Sequence, residues 1–370
     1  MKAPAQESFL LRATMPIPPG VHFDADLLVP YRVVDSDGTY APTQVETVTR
    51  YPSAQDGVDV VELIARVHRP DGVAAGERAD YTVLHLAHQA DNYRDNADVR
   101  ALLATPGALT LRTRDVYGNV YDADLFREIR EDSSRAVYLR KGELAKQIRV
   151  HQVLRPLGSP SNSLPHMMGV HAFITQWAEE PFISLDLHVH NALDGNDQHD
   201  PSDDALDKIY FDSLDLRVPV GWSVMQAFAN PYFGSGSDQG GWRTYPLVKA
   251  MSNGKMHMMP RQAHFVRRLM IVKDGHQSRA RMHLTEGNLA FSQRGTAPGG
   301  YSLWSWWNEE TARYYPQSHR LPSLDHVGLE SIAQGLSSKL AQRMASLANG
   351  TSGSYPLNSP GLGWAHPWGV

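Results

Sequence analysis

The chain has 370 residues, 42% of them hydrophobic and 20% charged, with a net charge of -5 and no cysteine. Such a composition belongs to a globular protein able to bury more than one core, and the length favours two domains. The missing cysteine removes disulfides, thiolate metal sites and a cysteine nucleophile; a mildly acidic chain with no basic run longer than Arg267-Arg268 argues against nucleic acid as a partner.

In chain order, Met1–Leu11 has one Lys followed by Pro, Gln and Glu, which is not the pattern of a signal peptide. No apolar run reaches the roughly 18 residues of a membrane span, and the compartment stays open. Phe9–Ala13 reads as a strand running into Pro16-Ile17-Pro18-Pro19-Gly20, a stiff turn that ends pairing. Val29–Val34 leads into the turn Asp35-Ser36-Asp37-Gly38. Gln44–Arg50 and Val58–His68 are β-branched and alternating, with Asp56-Gly57 between them as a hairpin signal. Arg78–Leu86 and Leu109–Arg114 follow, then the turn Tyr117-Gly118-Asn119, with Asn96–Ala104 as a short helix. Strands at this spacing predict an N-terminal β-sandwich over residues 1–155.

Pro156–Pro165, rich in breakers and without periodicity, reads as a linker. A second, larger β-sandwich is expected over 166–320. Within it, Ile183, Leu185, Leu187 and Val189 alternate with Ser184, Asp186, His188 and His190. Leu214, Leu216 and Val218 alternate in the same sense with Ser213, Asp215 and Arg217. A period of two marks strands apolar on one face and polar on the other. The two strands read as a hairpin, and Asp186, His188, His190, Asp215 and Arg217 become candidate ligand-binding residues on one broad polar face. Plain solvent exposure accounts for the same pattern. Phe265–Lys273 and Arg279–Leu284 read as late strands. Leu329, Ile332, Ala333, Leu336, Leu340, Met344 and Leu347 then fall at helical spacing, with Gly350 just beyond. They predict one long C-terminal helix, followed by an extended tail carrying Trp364 and Trp368, over residues 325–370. The fold class is mostly β: two β-sandwich domains, then a helix and a tail.

Four groups of residues carry candidate chemistry. His188 and His190 put two imidazoles on one strand face, about 7 Å apart by strand rise. With Asp186 beside them they suit a divalent metal, a sugar-binding face or a solvated face. The spacing of a cupin-type barrel would want Gly six residues before His188 and Glu four after His190, where this chain has Phe182 and Asp194. Asp194, Asn196, Asp197 and Asp200 are hard oxygen ligands in one loop, which makes calcium the candidate cation. An EF-hand is excluded, because its sixth and twelfth positions would be His199 and Ala205. Trp304, Trp306 and Glu309 suit a sugar, aromatic faces stacking on its C–H surface and the carboxylate accepting from its hydroxyls, or else a buried aromatic core. Glu309 and Glu310 are adjacent and point to opposite faces of a strand, so they do not form a glycosidase pair. His257 and Arg261 stand in Lys255–His264; a polysaccharide lyase needs such a cation against a uronate carboxylate and such a base for the α-proton. There is no Gly-x-Ser-x-Gly, P-loop or His-Glu-x-x-His.

The opening third has a further order: a strand, Pro16-Ile17-Pro18-Pro19-Gly20, then Val33-Val34-Asp35-Ser36-Asp37-Gly38. Next come Pro42–Glu46 to Arg50-Tyr51-Pro52, Asp59–Leu63, and Ala75-Gly76-Glu77 to Tyr81-Thr82-Val83. This order resembles the N-terminal β-domain of bacterial exo-rhamnogalacturonan-lyase-like proteins, over residues 8–90. The family's Arg-x-Pro-Asp-Gly turn appears here as Arg50–Gly57, with an insertion. Trp364-Ala365-His366-Pro367-Trp368-Gly369 looks like the start of the α-helical toroid that follows in similar proteins. The resemblance implies that this chain is the non-catalytic β portion of a polysaccharide-degrading enzyme, and it transfers no catalytic residue. The functional expectation is a carbohydrate-directed protein whose partner is a polysaccharide or another glycan. The alternative is a structural or assembly protein that self-associates through its β-domain edges and tail.

Overall fold

The structure, a computed structural model, describes residues 8–17, 19–20, 22, 28–74, 79, 81–158, 160–191, 206–226, 233–251 and 254–285. The described chain is mostly β. It divides into two compact units, one holding residues 8–94 with 142–145 and the other 95–141 with 146–281. The expected C-terminal helix and tail lie outside the described residues. Among the described residues no helix is long and apolar enough to cross a membrane.

The first unit contains β1 (Ser8–Pro16), β2 (Val29–Val34), β3 (Tyr40–Ala41), β4 (Thr43–Arg50), β5 (Val58–His68) and β6 (Thr82–His88). They form two three-stranded antiparallel sheets, in the orders β1-β5-β4 and β3-β2-β6. Phe9 and Leu11 of β1, Tyr31 and Val33 of β2, and Val61, Leu63 and Ala65 of β5 share one core. The predicted turns carry this topology. Gly38 sits at φ 84°, where a side chain would strain the backbone, and its N–H donates to the Asp35 carbonyl at 3.0 Å. The Asp35 carboxylate in turn accepts from the backbone N–H of His68 at 2.8 Å, tying the turn to the end of β5. β1 ends at Pro16, as the proline run requires.

The second unit holds α1 (Ala97–Ala104), β7 (Thr110–Arg114), β8 (Val120–Asp124), α2 (Arg127–Arg130), β9 (Ala136–Lys141), β10 (Ala145–Val153), β11 (Arg155–Pro156) and β12 (Gly169–Trp177). It continues with β13 (Phe182–His190), β14 (Lys208–Phe211), β15 (Leu214–Pro219), β16 (Trp222–Gln226), β17 (Ser237–Gln239), β18 (Trp242–Val248), β19 (His257–Pro260) and β20 (His264–Lys273), and α3 (Gln277–Thr285) begins in it. One six-stranded sheet runs β16-β20-β13-β12-β10-β9 and another β11-β8-β7-β15-β18-β17, with β14 and β19 paired separately. Ile148, Ile174, Leu185 and Leu269 of the first sheet share one core with Leu111, Tyr121, Leu216 and Leu247 of the second. Each such side chain contributes about 1.5–3 kcal/mol relative to exposure. The result is a β-sandwich.

Three expectations change here. β13 and β15 do not form a hairpin. β13 lies between β12 and β20, and β15 between β7 and β18 in the other sheet. Both strands bury their apolar sides in the same core, so their leucines face each other across the sandwich and their polar sides face apart. Arg279–Leu284 is helical, within α3. Gly275, at φ 93°, ends β20, and helix formers follow it. The turn then presents Arg279 to Glu180 as a bidentate pair at 2.6 and 2.6 Å. Pro156–Pro165, expected as a linker, is a loop within the second unit, where β11 pairs with β8. Leu164 N–H donates to the Tyr121 hydroxyl at 2.7 Å. The short helix is present as expected, with the Asn96 side chain capping the N–H groups of Asp98 and Val99 at 3.0 and 3.2 Å.

Candidate functional site

The outer face of the β16-β20-β13-β12-β10-β9 sheet follows from alternation. Val150, Val170 and Val189 are fully buried in the core. The residue after each, His151, His171 and His190, therefore points to the other side of the sheet. These three histidines, on adjacent strands, offer ligand nitrogens that all lie within 4.8 Å of one another. His171 pairs in register with His188, while His190 pairs with Gly169 on one side and His264 on the other.

Gly169 explains the convergence. The His190 ring lies over it, and a Cβ at that position would collide with the ring. With no side chain on β12 in its way, His190 leans across that strand toward β10. The ring centroids of His171 and His190 are 5.1 Å apart, those of His151 and His171 4.7 Å, and those of His151 and His190 6.0 Å. His190 and His151 are 4% and 6% exposed, and His171 is half-buried. His188 stands beside this trio, 6.4 Å from His171 and 4.9 Å from His264 by ring centroids. Its Nε2 is buried and makes no hydrogen bond among the described residues. Burial, and then the neighbouring His264, hold the His188 pKa below its ordinary value. A neutral imidazole is the form that coordinates metals.

The same face continues away from the histidines. Phe173 pairs with Asp186, and Asp186 with Arg268, whose Nε–H donates to the carboxylate at 2.8 Å. The Gln147–Thr175 hydrogen bond at 3.0 Å and the His151–His171 contact set β10 beside β12 so that Arg149 falls next to Phe173. Arg149, Val266 and Arg268 are exposed, and Phe173 and Asp186 half-buried. Beyond this row the face closes over: Trp177 Nε1–H donates to Ser184 Oγ at 2.9 Å, and Met270 is fully buried.

Asp215 and Arg217 are on the other outer face of the sandwich. Asp215 pairs with Arg112 and Arg217 with Thr110. Arg112 is engaged with Asp122 at 2.9 Å, and the Arg217 guanidinium lies 5.1 Å from the Trp242 ring centroid. Burial raises the Asp215 pKa against the Ser213 hydrogen bond that lowers it; burial and Arg112 lower that of Arg217. The five strand candidates thus separate into Asp186, His188 and His190 on one face and Asp215 and Arg217 on the other. His257 is inside the protein, stacked on Phe211 with ring centroids 5.2 Å apart, and its Nε2–H donates to the Lys249 carbonyl at 2.8 Å. Burial lowers its pKa. Arg261 occupies an exposed turn after β19. Trp304, Trp306, Glu309, Asp194, Asn196, Asp197 and Asp200 lie outside the described residues.

Sequence reasoning found His188 and His190 but not His151, His171, Phe173 or Gly169. The available signal is a dipeptide: Val150-His151, Val170-His171 and Val189-His190 each set a core valine before an outward histidine.

No family model matches the chain, and no curated protein does. Among solved structures it is similar to an α-mannosidase from Enterococcus faecalis V583, with a TM-score of 0.32 and 8% identity over 76% of this chain and 43% of that one. It is similar at the same TM-score and identity to a glycosyl hydrolase family 38 protein from Enterococcus faecalis, over 76% of this chain and 45% of the other. The chain spans less than half the length of either. A likeness at this level carries no argument about chemistry.

Proposed function

We propose that the chain is a carbohydrate-directed protein, the β portion of a lyase-like polysaccharide-degrading enzyme, and that it binds an acidic polysaccharide without cleaving it. The observation that supports this is the open row Arg149, Phe173, Asp186, Arg268 on the outer face of the second unit. An aromatic face stacks on a sugar ring, the Arg149 guanidinium takes a uronate carboxylate in bidentate geometry, and Arg268 adds the terminal N–H groups that Asp186 does not engage. His171 and His188 extend the row with donors or acceptors for hydroxyls. Affinity electrophoresis through gels containing polygalacturonate, with dextran as the neutral control, tests it. Retardation by polygalacturonate is expected, and Phe173→Ala or Arg268→Ala should reduce it about tenfold or more, the loss of roughly 1.4 kcal/mol. A native protein that migrates freely through both gels overturns the reading.

A second reading has its own observation. Every residue of β6 from Thr82 to Ala87 is exposed, including Val83, Leu84 and Leu86, and β6 is the edge of its sheet. Such an edge suits pairing with another copy of the chain. Light scattering should then show mass rising with concentration, and Leu84→Lys should suppress the rise. A monomer at every concentration removes this reading.

A further inference from the structure

We propose that His151, His171 and His190 hold one divalent transition-metal ion of the zinc type. The proposal stands apart from glycan binding and can hold or fail without it. Three observations carry it. The donors come from three neighbouring strands, β10, β12 and β13, of one hydrogen-bonded sheet, so their Cα positions are fixed by backbone pairing rather than by loop conformation. Their nitrogens lie within 4.8 Å of one another, and the convergence depends on Gly169, the position where a side chain would push His190 away. Two of the three rings are almost wholly buried, at a place where apolar side chains would have been cheaper to bury.

The donor set selects the ion. Three imidazole nitrogens with no carboxylate among them suit a borderline ion such as zinc, cobalt or nickel, and suit calcium or magnesium poorly. Zinc–nitrogen bonds of about 2.0–2.1 Å put tetrahedral ligands about 3.3 Å apart. Closing from the present spacing needs the His151 and His171 side chains to rotate toward His190. Three protein ligands leave a position for water or another oxygen ligand. His171 is the most exposed of the trio, so that position falls on its side, next to Phe173 and His188. The ion would stand at the end of the open row, supplying a Lewis-acidic contact for an oxygen-bearing ligand.

The test uses the full chain, stripped with chelator and titrated with cobalt(II) and zinc(II) at pH 7.5. The expected result is one equivalent of cobalt with visible absorption, displaced by zinc. Tm should rise with zinc and stay unchanged with calcium or magnesium. His171→Gln, at a half-buried position, should weaken zinc binding at least about 100-fold, beyond the range seen on losing an outer-shell partner. His264→Gln, outside the trio, should leave it within a few-fold. X-ray absorption of the native zinc complex should show a shell of three imidazoles, and this reads the site even where a variant fails to fold. No stoichiometric uptake by the native protein, a shell of fewer than three imidazoles, or equal uptake by His171→Gln would overturn the proposal. Equal uptake would send the metal to others of the chain's 17 histidines.

Discussion

The two outer faces of the second unit are built from the same kind of strand and end in different chemistry. On the β8-β7-β15-β18 side, charges find partners: Arg112 meets Asp122 at 2.9 Å, and the Arg217 guanidinium lies 5.1 Å from the Trp242 ring centroid. On the β20-β13-β12-β10 side one such pair, Arg268 with Asp186 at 2.8 Å, stands beside His151, His171, His188, His190 and His264, which gather with one another. Like groups packed together gain nothing ionic from the arrangement, whereas Arg112 and Asp122 already satisfy each other. Alternation fixes which way a side chain points, and the residue on the next strand decides whether it remains chemically available.

The largest perturbation tests whether both faces depend on one core. Leu185→Ala should cost about 2–5 kcal/mol, and urea unfolding followed by tryptophan fluorescence should remain a single transition. Two separated transitions would mean that the faces are energetically independent. Gly169→Ala sharpens the contrast. The new methyl group displaces the His190 ring at a cost of about 1–3 kcal/mol and weakens zinc binding, while the paired-charge face is untouched. Native-like zinc affinity in that variant would show that Gly169 does not set the geometry.

The third prediction concerns pH. Burial depresses the folded-state pKa of His257, so the unfolded chain takes up that proton first. The stabilising contribution is complete above the unfolded value, about 6.5, and is lost as pH falls below it toward the folded value. The urea midpoint should fall between pH 7 and 5. His257→Gln, which keeps a donor for the Lys249 carbonyl, should flatten that fall. An equally steep fall in the variant would place the acid sensitivity elsewhere. The smallest effect is expected from Arg112→Ala on the paired-charge face, about 0–1 kcal/mol and reduced further by salt; a loss above 2 kcal/mol would mean that this pair is buried in effect.

Most strands of the first unit were legible because each reports itself locally. Gly38 and Gly57 punctuate them with positive φ, at 84° and 74°. The partnership of β13 with β15 was misread because two half-buried strands carry the same pattern whether they share a sheet or face each other across a core. α3 was misread because its alternating Arg and apolar residues fit a strand until Glu180 is seen opposite Arg279. The histidine trio depends on partners from residues 151, 171 and 190, and no local period links such positions. Only the registers of β10 against β12 and of β12 against β13 do, and register is a tertiary fact.

The trio also has a kinetic side. β12 and β13 are paired on both edges, so their amide protons are shielded from solvent until a neighbouring strand is removed. Amides so placed exchange with deuterium mainly through cooperative opening of the whole sheet. A ligand held by the trio on this outer face would therefore be released at the pace of its own exchange or of global unfolding, with no partial opening of the sheet in between. Deuterium uptake at Val170 and Val189 then becomes a direct meter of how tightly the trio is filled.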